Sequence, residues 1–221
     1  MVDIWCVALD APDDAPRSLL SIEEQQRADR FVFDRDRRRY VIAHAALRQL
    51  LARYTAADLT FTYGPRGKPA LIDTEVRFNL AHSDDVALVA ISTECEVGVD
   101  VERVRTISDL EAIANRYFCL RERAAIMACQ GDARVLTFMR FWTRKEALLK
   151  LTGDGLSLPL DCVDVAWPDA RSTLTVADGS GVSHCVIVAD LHVANDYAAA
   201  VAVEGDTCDI AYRGAFSPTG N

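Results

Sequence analysis

The sequence predicts an α+β fold, because stretches with strand patterning and stretches with helical patterning occur in both halves of the chain. Two strand-like stretches resemble each other: residues 85–91 read DVALVAI and residues 196–203 read DYAAAVAV. Each comes late in its half, after a helix and some strands, which suggests two similar α+β halves joined near residues 104–108. The alternative is that buried strands are generally rich in Ala and Val.

The first half is predicted to contain two helices and four strands. Ser21, followed three residues later by Glu24, has the pattern of a capping box that opens a helix towards Phe31. Apolar residues at helical spacing predict a second helix over residues 35–54, and the glycines and prolines of residues 64–69 predict a loop. The predicted strands are residues 4–9, 77–80, 86–92 and 97–102.

The second half is predicted to begin with helices and to end with strands. Ser108 and Glu111 have the spacing of another capping box. A long helix is predicted over residues 135–151, with Gly153 as its C-cap. The predicted strands are residues 163–167, 172–177, 182–188 and 197–203.

Composition and charge restrict the classes of partner. The 221 residues carry a net charge of −9, so we expect neither nucleic acid nor an anionic membrane as a partner. Seven Cys without a CxxC pair, together with only four His, predict reduced thiols in the cytoplasm and no structural zinc. The first ten residues lack the basic segment of a signal peptide, and no apolar run is long enough to span a bilayer.

Two acidic residues alternate along one predicted strand. In the segment Gly98-Val99-Asp100-Val101-Glu102, the period of two places Asp100 and Glu102 on the same face. Paired carboxylates are costly to bury without a partner, and a divalent cation, magnesium in particular, would resolve their repulsion. The alternative is an exposed strand face with two solvated acids.

The long predicted helix has a second polar face. Trp142, Glu146 and Lys150 follow one another at intervals of four residues, which aligns them along one side. Glu146 could complete a three-carboxylate metal site or accept a proton, and Lys150 could steady it or bind phosphate. The alternative is an ordinary Glu–Lys surface pair.

Basic residues are the third candidate for chemistry. Arginines crowd the first two predicted helices, and Arg66 and Lys68 flank a glycine in the predicted loop. Most of these side chains are expected to be solvated, with one or two free to grip phosphate. His82 and Ser83 follow a strand without the spacing of a hydrolase triad, and a lone loop histidine is more often structural.

Taken in order, the motifs resemble a known family. They are Gly67-Lys68-Pro69, Asn79-Leu80-Ala81-His82-Ser83, Gly98-Val99-Asp100-Val101-Glu102, Trp142-Thr143-Arg144-Lys145-Glu146-Ala147 with Lys150, and Gly153-Asp154-Gly155-Leu156. This series resembles the 4′-phosphopantetheinyl transferases, and specifically their Sfp-type (surfactin-synthetase-activating) branch. The resemblance implies two similar α/β halves related by a pseudo-twofold axis. Each half would be a small, mostly antiparallel sheet packed with a long helix, with the active site between residues 1–104 and residues 105–221.

The resemblance also implies roles for individual residues. Magnesium would be held by Asp100, Glu102 and Glu146, and the catalytic residues would be Glu146, Lys150 and Lys145. Coenzyme A would be bound by Lys68, Pro69, His82, Ser83, Lys145 and Lys150, with Arg27 and Arg39 at its nucleotide end. The chain departs from the family at Ala81, where serine is usual, and at Glu24, where some relatives have a base.

The reaction implied is transfer of 4′-phosphopantetheine from coenzyme A to a serine of an apo acyl or peptidyl carrier protein. Magnesium is required, and adenosine 3′,5′-bisphosphate is released. Glu146, directly or through a metal-bound water, is the candidate base. Residues 108–131, just after the strand with the acids, are the candidate docking region for the carrier. A monomer is expected, because two halves in one chain could build the whole site. Two alternatives remain open: a magnesium-dependent coenzyme A pyrophosphohydrolase, and a non-catalytic homologue that binds coenzyme A or a carrier.

Overall fold

The computed structural model describes residues 1–10, 17–64, 67–152, 160–177 and 182–218. Five α-helices occur in these residues, with two short 3-10 helices at Arg17–Leu19 and Leu160–Cys162. The helices are α1 Ile22–Ala28, α2 Asp34–Leu51, α3 Leu110–Tyr117, α4 Leu120–Ala128 and α5 Gly131–Thr152. None of the described helices is both long enough and apolar enough to cross a membrane.

Ten strands build two four-stranded sheets and one small hairpin within the described residues. The first sheet has the order β10-β1-β5-β4, the second has the order β6-β9-β8-β7, and β2 pairs with β3. The strands are β1 Val2–Ala8, β2 Phe61–Tyr63, β3 Pro69–Leu71, β4 Arg77–Ser83, β5 Val86–Ser92, β6 Val97–Arg103, β7 Arg171–Ala177, β8 Ser183–Asp190, β9 Tyr197–Glu204 and β10 Ile210–Phe216.

The elements pack in four layers, with the two sheets inside and a long helix on each outer face. One apolar cluster lies between α2 and the first sheet, and includes Leu47 and Val89. A second lies between the two sheets, and includes Ile4 and Val99. A third lies between the second sheet and α5, where Leu148 is buried.

Both halves of the chain use the same strand connections. In the first half, β1 is followed by a long helix and by the hairpin β4–β5, and β5 pairs antiparallel with both β1 and β4. In the second half, β6 is followed by α5 and the hairpin β8–β9, and β9 pairs antiparallel with both β6 and β8. The two similar segments of the sequence are therefore equivalent central strands, β5 and β9. The predicted α+β fold of two similar halves is confirmed.

The strands do not follow the predicted division at residue 104. Strand β6 lies before that residue but belongs to the second sheet, and β10 returns from the end of the chain to pair in parallel with β1. The division into residues 1–104 and 105–221 stays a prediction. The boundary between the two equivalent sets of strands lies in the loop between β5 and β6.

Residues 163–167 were expected to form a strand, and they do not. Their backbone groups bind side chains instead: Val165 N donates to Glu122, and Val165 O accepts from Arg144. With these groups occupied, the segment forms no ladder with a neighbouring strand. Strands β2, β3 and β10 were not predicted.

The capping box expected at Ser108 is also wrong. Helix α3 begins at Leu110 with Asp109 as N-cap, so Glu111 is only the second helical residue and cannot complete the box. A capping box occurs instead at α4, where Cys119 and Glu122 bind each other's backbone N–H groups. The capping box at Ser21 and Glu24 is confirmed. The predicted C-cap Gly153 lies outside the described residues.

Candidate active site

Strand β6 approaches helix α5 more closely than a side chain would allow. A Cβ added to Gly98 would lie 2.2 Å from Ala147 O and 2.3 Å from Leu151 N. Only glycine permits this approach. Because side chains alternate along a strand, Asp100 and Glu102 share the side of Gly98 that faces α5, while Val99 and Val101 pack between the sheets.

Asp100 is buried, and it is paired on one oxygen only. Its side chain meets Lys150 of α5, with an Nζ–Oδ1 distance of 2.6 Å. Its other oxygen, Oδ2, is buried and has no hydrogen-bond partner among the described residues. Burial raises the pKa of Asp100 to about 7; Lys150 acts in the opposite direction, and Glu102 and Glu146 add to the rise.

Glu146 and Glu102 complete an acidic cluster around Asp100. Glu146 is half-buried, one helical turn before Lys150. Burial raises the pKa of Glu146, Lys150 acts to lower it, and Glu102 adds to the rise. Glu102 accepts a hydrogen bond from Ser83 Oγ at 2.9 Å. The three carboxylates predicted as metal ligands therefore lie together, with Lys150 among them.

This group of side chains fits a divalent cation such as magnesium. Three carboxylates against one ammonium leave an excess of negative charge in a partly buried site, which is costly without a further cation. The buried, unpartnered oxygen of Asp100 is available to such an ion. Few carboxylates with room for water or phosphate oxygens suit magnesium.

A cleft of about 350 Å³ contains His82 and Arg39, together with Tyr40 and Asp84. Surrounding protein lowers the pKa of His82 although part of the ring stays exposed, and the charge of Lys150 adds to the effect. His82 therefore lies within reach of the charge of Lys150. Arg39 is already engaged by Asp10, at 2.6 Å, and by Asp84, at 3.4 Å. Arg27 is exposed, and its guanidinium lies 5.7 Å from the centre of the Tyr40 ring.

Similarity to known proteins decides which family this site belongs to. Residues 14–94 match a family described as 4′-phosphopantetheinyl transferase, N-terminal, and residues 96–202 match the 4′-phosphopantetheinyl transferase superfamily. The 4′-phosphopantetheinyl transferase HetI of Nostoc sp. is 37% identical over 175 residues, which cover 75% of this chain and 73% of that relative. The chain belongs to the 4′-phosphopantetheinyl transferase superfamily. The prediction of an enzyme of this kind is confirmed.

Other members of the superfamily show similar identity. A putative 4′-phosphopantetheinyl transferase of Synechocystis sp. is 40% identical over 161 residues, covering 70% of this chain and 65% of that relative. The 4′-phosphopantetheinyl transferase Sfp of Bacillus subtilis is 32% identical over 152 residues, covering 67% of this chain and 66% of that relative.

A holo-(acyl-carrier-protein) synthase from Bacillus anthracis, solved in complex with CoA (3′,5′-ADP), is a weak structural neighbour. The match covers 49% of this chain and 94% of the synthase chain, with 18% sequence identity and a TM-score of 0.36. The assignment to the phosphopantetheinyl transferases rests on the sequence matches alone.

Lys145 does not lie at the carboxylate cluster, and its predicted role in catalysis and coenzyme A binding requires correction. Its side chain is fully buried and pairs with the fully buried Glu122 at 2.9 Å. Its ammonium also donates to Leu160 O and Val163 O, both at 2.6 Å. All three N–H groups are therefore used to hold α4 and residues 160–163 against α5. Residues 145 and 150 point about 140° apart on a helix, so their side chains are directed to different sides of α5.

Lys68, which was predicted to bind coenzyme A, is engaged by groups of the protein itself. Its ammonium donates to Leu151 O at 2.7 Å, to Glu96 at 2.8 Å and to Val97 O at 3.2 Å. It thereby ties the end of α5 to the start of β6. Pro69 begins β3 and, with Lys68, lines a separate cavity of about 470 Å³. The described contacts assign Lys68 to structure, and the coenzyme A role of Pro69 stays a prediction.

Glu24 is the position at which some relatives have a base. Its side chain is buried, with His44 at 3.0 Å and Arg48 at 2.5 Å. These contacts tie α1 to α2, so the Glu24 charge is neutralised within the protein.

A second group of possible metal ligands lies away from the cluster. Atoms of Cys119, Glu122 and Asp164 lie within 4.8 Å of one another. Both oxygens of Glu122 already accept hydrogen bonds, from Cys119 N and Val165 N, and the ammonium of Lys145 is beside them. A cation in contact with that ammonium would be repelled, so this group does not fit a metal.

Two polar side chains of structural importance were not predicted from the sequence. Arg144 is fully buried and binds both oxygens of Asp190, which anchors α5 to the second sheet. Asn79 is buried in β4, and its Oδ1 accepts a hydrogen bond from Val99 N of β6 at 2.9 Å. A polar residue within an apolar strand was the available signal for Asn79.

Proposed function

We propose that this member of the superfamily transfers 4′-phosphopantetheine from coenzyme A to a serine hydroxyl of an apo acyl or peptidyl carrier protein, releasing adenosine 3′,5′-bisphosphate. The observation that carries the proposal is the cluster of Asp100, Glu102 and Glu146 around Lys150, with one buried carboxylate oxygen unpartnered. The two-half chain and the 32% identity to Sfp support placement in the Sfp-type branch.

Asp100, Glu102 and Glu146 would hold magnesium. When bound, the ion supplies positive charge that neutralises the pyrophosphate of coenzyme A. The ammonium of Lys150 lies beside the same carboxylates and is half-exposed, so it adds a second positive charge where a phosphate would lie.

Glu146 is the proposed base. The carrier's serine oxygen attacks the β-phosphorus, the bond from that phosphorus to the bridging pyrophosphate oxygen breaks, and the serine proton passes to a Glu146 carboxylate oxygen. Burial raises the pKa of Glu146 above its ordinary value, which brings it closer to neutral pH. A base is most effective when its pKa is near the working pH.

The cleft with His82 and Arg39 is proposed to hold the nucleotide end of coenzyme A. Both side chains border the cleft, and Arg27 lies over Tyr40 at its edge. Ser83, next to His82, hydrogen-bonds Glu102 and so links this cleft to the carboxylates. Because Arg39 is balanced by two aspartates, we expect phosphate to compete with Asp10 and Asp84 for it.

The carrier is proposed to dock on residues 108–131 and the adjoining start of α5. Leu120 is 78% exposed and Leu136 is 46% exposed, although both are large apolar residues. Arg121 is exposed beside Leu120. The carrier proteins of this family are acidic, and this chain is acidic as a whole. A basic side chain beside an exposed leucine would give the carrier a local surface that attracts it.

We retain the predictions of a cytoplasmic location and a monomer. All seven cysteines are free thiols, which supports a reducing compartment. The site draws Ser83 from the first sheet and Asp100 from the second sheet of one chain, which supports a monomer.

Mass spectrometry tests the proposed function directly. The protein would be incubated with coenzyme A, magnesium and a panel of apo-carriers, with Asp100→Asn as the matched control. We expect one carrier at least to gain the mass of phosphopantetheine on a serine, and the control to give none. Free phosphopantetheine without carrier modification would indicate a pyrophosphohydrolase, and neither product would indicate a binding homologue.

A further inference from the structure

The edge strands β4 and β6 lie against each other although they belong to different sheets. Strand β4 ends the first sheet and β6 ends the second. Val104 N donates to Asp196 O on the β9 side, so amides at even positions of β6 point towards β9. Because amide directions alternate along a strand, the amides of Val99 and Arg103 point outwards, towards β4.

Two side chains of β4 meet these outward amides. Asn79 Oδ1 accepts from Val99 N at 2.9 Å, and Ser83 Oγ accepts from Arg103 N at 3.1 Å. The two contacts are four residues apart on β4 and four residues apart on β6, and they follow one another in the same chain direction on both strands. Side chains thus replace the neighbouring strand that β6 lacks. We call these two contacts the β4–β6 seam.

The seam is next to the carboxylates of the candidate site. Val99 directly precedes Asp100, and Arg103 directly follows Glu102. On its other side, β6 is pressed against α5 at Gly98. The backbone that carries both acids is therefore held from two sides, by the helix and by β4. The side chain of Ala81, between Asn79 and Ser83, has no acceptor atom, so Asn79 supports the seam on the Asp100 side.

We propose that Asn79 is a positioning residue for the metal site: its buried amide fixes the edge of β6 and thereby aims Asp100 at α5. This inference rests on the proposed function, because it concerns the ion that Asp100 would hold. Asn79 is 6% exposed, and it contacts the strand's backbone rather than a carboxylate. Loss of groups that orient metal ligands commonly lowers metal affinity about 10–100-fold.

The test compares Asn79→Ala with Asn79→Asp and with Ser92→Ala. Asn79→Asp keeps an oxygen that can accept from Val99 N. Ser92 is buried and accepts from Glu94 N and Cys95 N in the loop after β5, so its loss provides a control for a lost side chain–backbone bond away from the seam. Manganese binding, measured by paramagnetic resonance, and amide exchange of Val99, measured by NMR, are the two readouts. Neither depends on turnover.

We expect Asn79→Ala to weaken manganese binding about tenfold or more and to speed exchange at Val99. Ser92→Ala should change neither, and Asn79→Asp should restore the protection of Val99. If Asn79→Ala does not fold, Asn79→Leu fills the same space without an acceptor and should give the same result. If Asn79→Ala loses the exchange protection of Val99 but binds manganese as tightly as the wild-type protein, the inference is wrong and the proposed metal site is unaffected. Absence of manganese binding by the wild-type protein would overturn the inference together with the proposed metal site.

Discussion

Lys150 on α5 and Asp100 on β6 lie 50 positions apart in the sequence and 2.6 Å apart in space. The contact joins the long helix of the second half to the edge strand of the second sheet. It satisfies only one oxygen of Asp100, while burial raises the pKa of that carboxyl to about 7. A buried carboxyl that one lysine leaves half-satisfied fits the proposal of a metal ion at this site.

Loss of the acids of β6 should remove both metal binding and transfer. Asp100→Asn and Glu102→Gln keep the size of the side chains, but a hard divalent cation needs anionic oxygens. In the wild-type protein, magnesium at about 100 times its Kd should add about 2.7 kcal/mol to the free energy of unfolding. We expect this increase to vanish in Asp100→Asn. Urea unfolding with magnesium and with EDTA measures it, and full transferase activity in EDTA would contradict the site.

Glu146→Gln should slow the chemical step without abolishing coenzyme A binding. The amide can still coordinate metal through its oxygen but cannot accept the serine proton, so turnover should fall about 100-fold or more. Lys150→Ala should also slow turnover, and Lys150→Arg should recover part of it if positive charge is what matters. Single-turnover transfer at saturating substrates is the measurement. Recovery of Glu146→Gln by added magnesium would show that Glu146 is a ligand only.

Lys145→Met should destabilise the protein rather than impair substrate binding. It leaves the carboxylate of Glu122 buried without its partner, which costs about 3–5 kcal/mol. Making the pair neutral in Lys145→Met/Glu122→Gln should recover part of that loss. Thermal unfolding gives the stability, and the KM for coenzyme A, measured well below the melting temperature, should stay near the wild-type value. A large rise in KM in the folded variant would restore Lys145 to the active site.

His82→Ala and Lys68→Ala should have opposite consequences. His82 lines the proposed nucleotide cleft, so its loss should weaken coenzyme A binding and leave thermal stability nearly unchanged. Lys68 holds the end of α5, so its loss should lower the free energy of unfolding by about 1–3 kcal/mol and leave coenzyme A binding nearly unchanged. Calorimetric titration and thermal unfolding of both variants decide between the assignments. Weakened binding in Lys68→Ala at full stability would contradict its structural role.

Glu24→Gln should reduce stability in a manner that depends on pH. Burial acts to raise the pKa of Glu24, but hydrogen bonds from His44, Ser21 N–H and Arg48 outweigh it, so the pKa lies below the ordinary 4.5. The ionised carboxylate therefore stabilises the fold above that pH, and the stabilisation is lost as the pH falls through the lowered value. Urea unfolding at neutral pH should show a loss of about 1.5–3 kcal/mol, shrinking below about pH 4.5. An undiminished difference in acid would contradict the ionic interpretation.

The two similar halves do not carry the same chemistry. When β5 and β9 are aligned by matching Asp85 to Asp196, Val89 and Ala200 are equivalent positions. Val89 pairs with Trp5 of β1, and Ala200 pairs with Asp100 of β6. The first half thus has an aromatic residue where the second has the buried carboxylate that we propose as a metal ligand. Trp5 packs against Arg53 and Phe216. Equivalent backbone positions therefore serve packing in one half and the candidate site in the other.

Local periodicity was sufficient to predict much of the fold and part of the site. Alternation along one strand placed Asp100 and Glu102 on one face, and four-residue spacing placed Glu146 and Lys150 on one side of α5. The similarity of residues 85–91 and 196–203 predicted two like halves, because the apolar pattern of a central strand is a property of the strand itself.

Tertiary structure decided which of the basic residues face the site. Lys145 and Lys150 occur in one helix with the same chemistry, and only the packing of α4 shows that Lys145 is buried against Glu122. Likewise, Asn79 acquires its role only because β4 lies beside β6. The partners in the pairs Lys145–Glu122 and Asn79–Val99 are 20 or more positions apart in the sequence. A local sequence pattern does not predict which such distant residues will be in contact. Periodicity determines the direction of a side chain on its own element, but the position of the opposite element depends on how both halves pack.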